Sequence, residues 1–343
     1  MPNNRTLILR SRPEGMVKVD DFDVVDRPIP TPQYGEILVQ NYYASLDPGL
    51  RKMLGATDGY WIPTPLGEPM VTNTIGKVLE SRHPDYKPGD LVTGTALLQE
   101  YSAYAPGPMT WKVDPASRLS LSNSLGILGA TGLTAYVGLL EVGRPLKGET
   151  VLVSGAAGAV GSAVGQIAKI KGCRVVGLAG GPEKCRRLIE EFGFDGAIDY
   201  KGKTREQLTA EIRALCPQGV DVYFENVGGI QLDAALACMN WGGHIPVCGL
   251  ISEYNQSADA EPMVNLFSIV GKVLRVEGFL SFTYKDIFPR ALREIEEWIL
   301  SGKLVYREHI ADGIEAAPAT FITLFTGQND GKTVVKLADP ATN

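Results

Sequence analysis

Apolar and polar residues follow different patterns in the two parts of the chain. From residue 1 to about 124, short apolar runs such as "EILVQNYYASL" and "DLVTG" are separated by turn residues such as "YKPGD". Such runs between Pro- and Gly-containing turns are typical of β-strands. From Thr150 onward, strand-like runs alternate with stretches whose apolar residues recur at helical spacing. The first pattern predicts a β-rich domain. The second predicts an α/β domain with a mostly parallel sheet covered on both faces.

The second region contains the runs that we interpret as the strands of this sheet. In chain order they read "TVLVSG", "CRVVGLA", "GAIDY", "VDVYFENV", "GGHIPVCG" and "LRVEGFL". Helices are predicted over 158–171, over 183–192 and around 285–301. One face of the first of these helices carries the apolar residues Val160, Val164, Ile167 and Ala168.

The end of the chain returns to β character. The runs "KLVYREHI" and "KTVVKLA" predict strands, which we expect to pack back onto the first domain. The predicted boundaries are therefore 1–124 for the β-rich domain, 125–301 for the doubly wound α/β domain and 302–343 for the returning segment.

Composition narrows the class of protein. A chain of 343 residues fits two domains of about 100–200 residues each. A net charge of -6 and a pI near 5.3 argue against a nucleic-acid partner, which would favour a basic surface. No apolar run approaches the roughly 20 residues of a membrane helix, and the first residues have a short apolar core but lack the longer apolar region of a signal peptide. We expect a cytoplasmic protein with no membrane partner.

Cysteine and histidine are too sparse for an obvious metal site. The 5 cysteines form no C-x-x-C pair, and no histidine lies near them at metal-ligand spacing. We expect reduced, mostly buried thiols and no metal. The 3 histidines, His83, His244 and His309, are expected to be structural.

The stretch "SGAAGAVGSAVGQ", 154–166, carries the main chemical signal. Ala156, Gly158 and Gly161 follow the spacing of a dinucleotide-binding turn, with alanine in place of the first glycine. The second position lets the backbone approach a diphosphate, and the third lets the helix pack close to the strand. A glycine-rich turn that binds nothing is the alternative. The strand before it and the helix after it favour a nicotinamide dinucleotide, with the diphosphate at the helix N-terminus.

The end of the second strand indicates which dinucleotide is bound. NAD sites usually carry an acidic residue there, about 20 residues after the turn, to bind the ribose hydroxyls. Here the strand is followed by "GGPEK", with no carboxylate at the strand end and with Lys184 in the loop. A lysine at this place can face a 2′-phosphate, so NADPH is predicted over NADH. A solvated surface lysine is the alternative for Lys184.

Several sequence motifs, spread over about 43–335, match one protein family. The chain resembles the zinc-independent medium-chain dehydrogenase/reductases, and within them the leukotriene/prostaglandin reductases and alkenal double-bond reductases. The segments that carry the resemblance are "YASLDPGLR", "GLTAYVGL", "SGAAGAVGSAVGQIAKIKGC", "GFDGAIDYK", "VDVYFENVGG", "CGLISEYN", "RVEGFL" and "GQNDGKTVV".

The resemblance implies a fold and an activity. It implies a GroES-like catalytic domain built from both chain ends, with a Rossmann domain inserted between them. The implied reaction is the NADPH-dependent reduction of a carbon–carbon double bond conjugated to a carbonyl, in a small apolar enone or enal. A homodimer is also implied, formed by pairing "RVEGFL" with its copy, because that sheet edge would otherwise expose unpaired backbone groups.

The resemblance also implies roles for individual residues. The turn would hold the diphosphate through Ala157, Gly158, Ala159, Val160 and Gly161. The adenosine 2′-phosphate would be bound by Lys184 and Tyr200. The rest of the cofactor would lie against Asn226, Cys248, Gly249, Ile251, Tyr254, Phe279 and Asn329. Tyr254 would reach toward the reacting carbonyl, and Tyr43 would line the substrate pocket.

Two features separate the chain from relatives. Zinc alcohol dehydrogenases carry a cysteine where "SLDP" stands here, a Gly-His-Glu motif where "LGEPMV" stands, and a four-cysteine lobe that has no counterpart. Many double-bond reductases read Asp-Pro-Tyr-Met-Arg, where this chain has Gly49 and Leu50 between Pro48 and Arg51. Loss of that tyrosine reshapes the loop, so no particular substrate is carried over.

Without zinc, another group must stabilise the charge that develops on the carbonyl oxygen. Hydride addition to the β carbon would produce an enolate, and a hydrogen-bond donor at its oxygen lowers the barrier. Tyr254 or the nicotinamide ribose hydroxyl would be this donor. The alternative is that Tyr254 only packs over the cofactor. A zinc-free quinone reductase and a non-catalytic nucleotide-binding or structural protein are the rival functions.

Aromatic residues cluster in the first region, at Tyr42, Tyr43, Tyr60 and Trp61. They would form an aromatic wall for an apolar substrate, or serve as ordinary core and surface residues. Tyr43 is the one that we predict as a site residue. Asp47 is expected to fix its loop rather than to act as a base.

Overall fold

The computed structural model describes residues 3–55, 62–114, 117–255 and 262–340. The chain divides into two compact units. Unit 1 contains Met1–Gly126 and Glu308–Asn343, and unit 2 contains Ile127–Arg307. Among the described residues, no helix has both the length and the apolar character needed to cross a membrane.

The strands, numbered along the chain, are β1 (Asn3–Leu9), β2 (Phe22–Pro28), β3 (Ile37–Leu46), β4 (Val71–Ser81), β5 (Leu91–Leu97), β6 (Tyr101–Tyr104), β7 (Trp111–Lys112), β8 (Thr150–Val153), β9 (Arg174–Ala179), β10 (Gly196–Asp199), β11 (Val220–Phe224), β12 (Met239–Val247), β13 (Arg275–Gly278), β14 (Glu308–Asp312) and β15 (Lys332–Lys336). The α-helices are α1 (Leu50–Met53), α2 (Ala130–Val137), α3 (Ala159–Ile170), α4 (Pro182–Glu190), α5 (Arg205–Leu215), α6 (Gly229–Cys238), α7 (Ser268–Gly271), α8 (Phe288–Leu300) and α9 (Ala317–Thr326).

Unit 1 is the predicted β-rich part of the α/β fold. Its larger sheet has the order β14-β15-β3-β4-β5-β7, with β6 paired to β3, and β1 and β2 form a separate antiparallel pair. The tail strand β15 is antiparallel to β3, with Val335 opposite Ala44, so the end of the chain completes the sheet that its beginning starts. The core of this unit packs α9 and β3 together through residues such as Phe321 and Leu46, which are almost fully buried.

Unit 2 contains the predicted doubly wound parallel sheet. Its strands have the order β10-β9-β8-β11-β12-β13, and every pair of neighbours is parallel. The chain order reverses between β8 and β11, which are the first and fourth strands of the unit. In open α/β sheets, ligands bind outside the carboxyl ends of the strands at such a reversal.

The helices of unit 2 agree with the apolar spacing in most places. Helix α3 begins after Gly158, within one residue of the predicted start. Val164, Ile167 and Ala168 are fully buried, as predicted from their shared face, whereas Val160 in the first turn is half-buried. Helix α8 begins at Phe288, later than the predicted 285, because a 3-10 helix occupies the preceding residues Ser281–Ile287.

One predicted strand is shorter than its apolar run. The run "KLVYREHI" forms a strand only from Glu308 onward. Val305, within the same run, instead pairs its backbone with a side chain: Gln166 Nε2 donates to Val305 O at 2.9 Å, and Val305 N donates to Gln166 Oε1 at 2.8 Å. Both backbone groups of Val305 are thus taken by α3, which explains why the strand prediction was wrong at this end.

Candidate functional site

The glycine-rich turn from Ser154 to Gly158 joins β8 to α3 at the reversal point of the sheet. Gly158 is the N-cap of α3, with φ -79° and ψ 172°. Ala156 N donates to Leu178 O at 3.0 Å, which ties the turn to β9. The first backbone N–H groups of a helix have no acceptor within it, so Ala159, Val160 and Gly161 present donors at this end. These N–H donors and the helix dipole together favour the binding of an anion at the N-terminus of α3.

Two glycines in this turn differ in what a side chain would meet. A Cβ added to Gly161 would lie 2.4 Å from the carbonyl oxygen of Gly155 and 2.8 Å from Ala156 Cα. Backbone atoms cannot give way by that much, so Gly161 is required for α3 to pack against the turn. A Cβ added to Gly158 would meet only Gly155 O, at 3.2 Å. Internal packing therefore restricts Gly158 less than Gly161, which fits a position kept open for a ligand.

Lys184 and Tyr200 lie on the segments that follow β9 and β10. Tyr200 N donates to Ala179 O at 3.2 Å, so Tyr200 is tied to the end of β9. A Cβ added to Gly180 would lie 2.9 Å from Tyr200 Oη and 3.1 Å from Lys201 Cε, so both side chains lie over the backbone of Gly180. Lys184 is half-buried in the first turn of α4. Burial raises the pKa of Tyr200, so its hydroxyl remains a neutral donor.

A carboxylate links the segments that follow β9 and β10. Asp199, at the end of β10, accepts from Gly181 N at 2.8 Å and from Lys201 N at 3.1 Å through one oxygen. It thereby joins Gly181, the N-cap of the helix that carries Lys184, to the loop that carries Lys201. Lys184 lies in helix α4, and not in a loop as the sequence had suggested. Two lysine side chains therefore lie on segments at this end of the sheet, and the backbone of these segments is held by Asp199. Lys201 was missed by the sequence analysis, although it directly follows the predicted Tyr200.

Asn226 lies at the carboxyl end of β11 and bonds to the end of β8. Its backbone N donates to Ser154 Oγ at 2.8 Å, and its Nδ2 donates to Ser154 O at 2.7 Å. The neighbouring Glu225 is fully buried and accepts from Ser154 Oγ at 2.8 Å. Glu225 was also missed, although a carboxylate within the apolar run "VDVYFENV" was a visible signal.

The segment from Cys248 to Tyr254 follows β12 and lies beside Asn226. Cys248 N and Gly249 N donate to Glu225 O at 2.8 and 3.3 Å, and Ile251 N donates to Asn226 O at 3.2 Å. Burial raises the pKa of the Cys248 thiol to about 12, with the Glu225 charge adding to the shift, so this thiol is a poor nucleophile at neutral pH.

Tyr254 ends the short 3-10 helix Ile251–Glu253. Leu250 N donates to the Tyr254 hydroxyl oxygen at 3.4 Å, and a Cβ added to Gly249 would lie 2.8 Å from that oxygen. The hydroxyl therefore lies against the backbone of its own loop. Burial is the largest cause that raises the Tyr254 pKa above its usual range, so the group is protonated at neutral pH and can donate a hydrogen bond.

Phe279 is held by aromatic packing within unit 2. Its ring lies edge-to-face with Phe224 at 6.1 Å between centroids. Its side chain thus serves the packing of the unit, so a role toward a cofactor would fall to its backbone, as the family resemblance implies.

Tyr43 and Asn329 belong to unit 1. Tyr43 lies on β3, opposite Lys336 of β15, and burial raises the pKa of its hydroxyl. Asn329 precedes β15, and its Nδ2 donates to Gly331 O at 3.4 Å. The other predicted site residues lie in unit 2, at the carboxyl ends of its strands. Tyr60 and Trp61 lie outside the described residues, and Tyr42 is a core residue with 2% exposure.

The loop after β3 is fixed by a buried lysine. Lys332 is 4% exposed, and its Nζ donates to Ser45 Oγ at 2.6 Å and to the carboxylate of Asp47. Asp47 thereby holds its loop in place through an ion pair. Gly49 has φ -58°, a conformation open to any residue, so the loop does not need glycine there for its backbone.

Metal-ligating side chains do not gather in the described parts of the chain. Among those residues, no group of three or more His, Cys, Asp or Glu side chains is arranged to hold a metal ion. Two of the histidines bond to the backbone: Asp85 N donates to His83 Nδ1 at 3.1 Å, and His244 Nδ1 lies 2.9 Å from Gly143 O.

Family models match both parts of the chain. Residues 5–124 match the model described as the N-terminal domain of oxidoreductase, and residues 159–297 match the one described as zinc-binding dehydrogenase.

Similar proteins cover nearly the whole chain. It is 42% identical to the 2-alkenal reductase (NADP(+)-dependent) of Nicotiana tabacum, over 98% of this chain and 98% of that protein. It is 40% identical to the NADPH-dependent curcumin reductase of Escherichia coli (strain K12), over 98% of this chain and 97% of that protein. The crystal structure of CurA in complex with NADPH from Vibrio vulnificus superposes with a TM-score of 0.92 at 38% identity, covering 98% of this chain and 100% of CurA.

Proposed function

The chain belongs to the medium-chain dehydrogenase/reductase family, and on this premise we propose that it reduces the carbon–carbon double bond of α,β-unsaturated aldehydes and ketones. It is an NADP-dependent oxidoreductase, as are relatives that match it over 97–98% of its length. The observation that carries the proposal is the gathering of the phosphate turn, Asn226 and the Tyr254 loop at the carboxyl ends of β8, β11 and β12.

The residues around the turn fit a dinucleotide phosphate. Gly158 leaves room for close backbone approach, and the first N–H groups of α3 would bind the diphosphate. Lys184, Tyr200 and Lys201 would bind the 2′-phosphate, because Asp199 joins the start of α4, which carries Lys184, to the loop after β10, which carries the other two. When bound, NADPH supplies the hydride for the β carbon of the substrate.

Tyr254 would stabilise the charge that forms on the substrate carbonyl oxygen. Its hydroxyl oxygen accepts a hydrogen bond from Leu250 N, and a hydroxyl group can donate one hydrogen bond as well as accept. An accepted bond polarises a hydroxyl and strengthens it as a donor. Removing a single donor of this kind typically lowers the rate by about 10²–10³-fold. The alternative, that Tyr254 only packs, keeps the reaction but assigns the donor role to the cofactor ribose.

The experiment that tests the function compares three classes of acceptor. Purified protein is mixed with NADPH and a 2-alkenal, an aryl enone or a quinone, and cofactor oxidation is followed with identification of the product. We expect a saturated aldehyde or ketone and a higher kcat/KM for the enal or enone. Preferential turnover of the quinone would favour the quinone-reductase alternative. NADPH binding without turnover on any acceptor would favour a non-catalytic role.

The edge of the unit 2 sheet supports the proposed homodimer. Strand β13 is the last strand of the sheet, and its four residues are exposed. Apolar side chains are exposed around it, at Phe267, Val270, Val273 and Val276, with exposures of 77%, 68%, 55% and 45%. An open strand edge with exposed apolar residues is a pairing surface.

The sequence of β13 is complementary to itself. In an antiparallel pair centred on Val276, Arg275 of one copy would lie opposite Glu277 of the second copy. Opposite charges at such positions stabilise strand pairing, and like charges oppose it. Arg275→Glu and Glu277→Arg alone should each shift the protein toward monomer, and the double variant should restore the dimer. A monomeric mass for the unaltered protein by light scattering, or no recovery in the double variant, would contradict this arrangement.

A further inference from the structure

A buried carboxylate lies beside the proposed cofactor loops without a role in the reaction described above. Glu225 follows β11 and has 0% exposure. Its Oε1 accepts from Ser154 Oγ at 2.8 Å, from Gly228 N at 2.9 Å and from the backbone N–H of Val227. Burying a carboxyl group is unfavourable unless hydrogen bonds replace its water. These three donors replace the water, and their bonds hold all three of them around Glu225 Oε1.

The backbone of the same residue reaches a third strand. Glu225 N donates to Pro246 O at 3.0 Å, and Glu225 O accepts from Cys248 N at 2.8 Å and from Gly249 N at 3.3 Å. One residue therefore connects the carboxyl ends of β8, β11 and β12. These carboxyl ends lie where the chain order of the sheet reverses, which is where a ligand is expected to bind.

The connections continue into residues that would face the cofactor. Asn226 N shares Ser154 Oγ with the Glu225 carboxyl group, so one hydroxyl fixes both residues. The Tyr254 hydroxyl lies against Gly249, the glycine whose N–H is held by Glu225 O. A displacement of Glu225 would thus move both the Asn226 turn and the support of Tyr254.

The two carboxyl oxygens of Glu225 are not equivalent. Oε1 accepts all three of these bonds, whereas Oε2 is buried and accepts none of them. Burial raises the pKa of Glu225, and the N–H groups of Val227 and Gly228 oppose that rise. The ordering effect therefore depends on one acceptor atom at the Oε1 position.

We propose that Glu225 is a positioning residue for the part of the cofactor that would lie against Asn226 and the segment from Cys248 to Tyr254. Its side chain holds the turn from Asn226 to Gly228 against Ser154, and its backbone carbonyl holds Cys248 and Gly249. The proposal rests on the NADPH-dependent function proposed above, because it concerns how that cofactor is held.

Asp221 provides a matched control on the same strand. It lies near the amino end of β11, where its Oδ2 accepts from Thr150 N at 2.8 Å and its Oδ1 accepts from Asn240 Nδ2 at 2.7 Å. It therefore also joins β8, β11 and β12, but away from the carboxyl ends of the strands. Replacing either carboxylate removes bonds between the same strands, and only Glu225 supports the proposed cofactor loops.

The test compares Glu225→Ala with Asp221→Ala at temperatures where both variants are folded. We expect Glu225→Ala to raise the dissociation constant of NADPH at least tenfold and to lower kcat. Asp221→Ala should stay within twofold of the unaltered protein even when its Tm falls equally. Glu225→Gln retains an acceptor at the Oε1 position, so its NADPH dissociation constant should stay within threefold. Equal shifts for the two alanine variants, or a tenfold loss with glutamine, would overturn the proposal.

A second variant decides the question if Glu225→Ala does not fold. Ser154→Ala removes one donor to Glu225 Oε1 and the acceptor of Asn226 N, and should raise the dissociation constant of NADPH at least threefold. An unchanged constant would overturn the positioning role. If the unaltered protein itself failed to bind NADPH, the proposed function and this inference would fall together. Normal binding with no effect in these variants would overturn the positioning role alone.

Discussion

Replacing Gly161 by alanine should separate helix α3 from the glycine-rich turn that precedes it. The added Cβ would lie 2.4 Å from Gly155 O and 2.8 Å from Ala156 Cα, and both contacts are with backbone. Forcing a methyl group into a packed site destabilises a protein by about 1–3 kcal/mol. For a domain of about 150–250 residues, each kcal/mol lowers Tm by about 2–4 °C, so a fall of about 2–12 °C is expected. The dissociation constant of NADPH should rise as well, because the start of the helix moves.

Gly158→Ala should weaken NADPH binding with little loss of stability. The backbone at Gly158 has φ -79°, which alanine adopts freely, and its Cβ would meet only Gly155 O at 3.2 Å. The Tm should therefore fall by less than about 3 °C, corresponding to less than about 1 kcal/mol. The NADPH dissociation constant should nevertheless rise at least tenfold, because the methyl group would occupy the space for close backbone approach to the diphosphate.

Thermal unfolding and NADPH titration of both variants provide the assay. Gly271→Ala is the matched control in the same unit, because its Cβ would meet only the Phe267 ring at 3.8 Å, an ordinary contact. It should leave the NADPH dissociation constant unchanged and should not lower Tm. A Tm for Gly161→Ala within 1 °C of the unaltered protein would refute the packing argument. An unchanged NADPH dissociation constant for Gly158→Ala would refute the assignment of the turn to the diphosphate.

Three further predictions concern the cofactor and the reaction. Tyr254→Phe should lower kcat on an enone at least tenfold, about 1.4 kcal/mol, while the NADPH dissociation constant stays constant; an unchanged kcat would leave Tyr254 with a packing role. Lys184→Glu should raise KM for NADPH at least tenfold and KM for NADH less than threefold, because only NADPH carries the 2′-phosphate; equal rises would contradict this. Lys201→Glu should likewise raise KM for NADPH more than KM for NADH. Prolonged dialysis against a chelator should leave kcat unchanged, and a loss restored by Zn²⁺ would contradict the predicted independence from metal.

Local patterns in the sequence were sufficient for most of the fold. The strand "TVLVSG", the glycine turn and the start of α3 were predicted to within one or two residues, because capping and apolar spacing act over a few positions. The run "KLVYREHI" was assigned wrongly at its start, because the partner of Val305 is the side chain of Gln166. That contact joins residues far apart in the chain, and no periodicity contains it.

The supporting residues of the site were harder to find than the residues expected to face the cofactor. Glu225 was passed over within a strand, since its reason for being buried is the Ser154 hydroxyl of another strand. Lys332 stands in "GKTVV" as an ordinary cation, and only the structure shows it buried against Ser45 and Asp47. A polar residue whose partners are distant in the chain is hard to recognise from the neighbouring sequence. The feature that can be recognised is a single charged residue within an apolar run.

The most direct test of hydride transfer to the β carbon follows deuterium from NADPH, labelled at C4 of the nicotinamide, to an α,β-unsaturated aldehyde. Samples labelled on either face of C4 are used, and the product is examined by NMR and mass spectrometry. We expect a saturated aldehyde that carries deuterium on the β carbon. An allylic alcohol with deuterium on the carbonyl carbon would contradict this expectation.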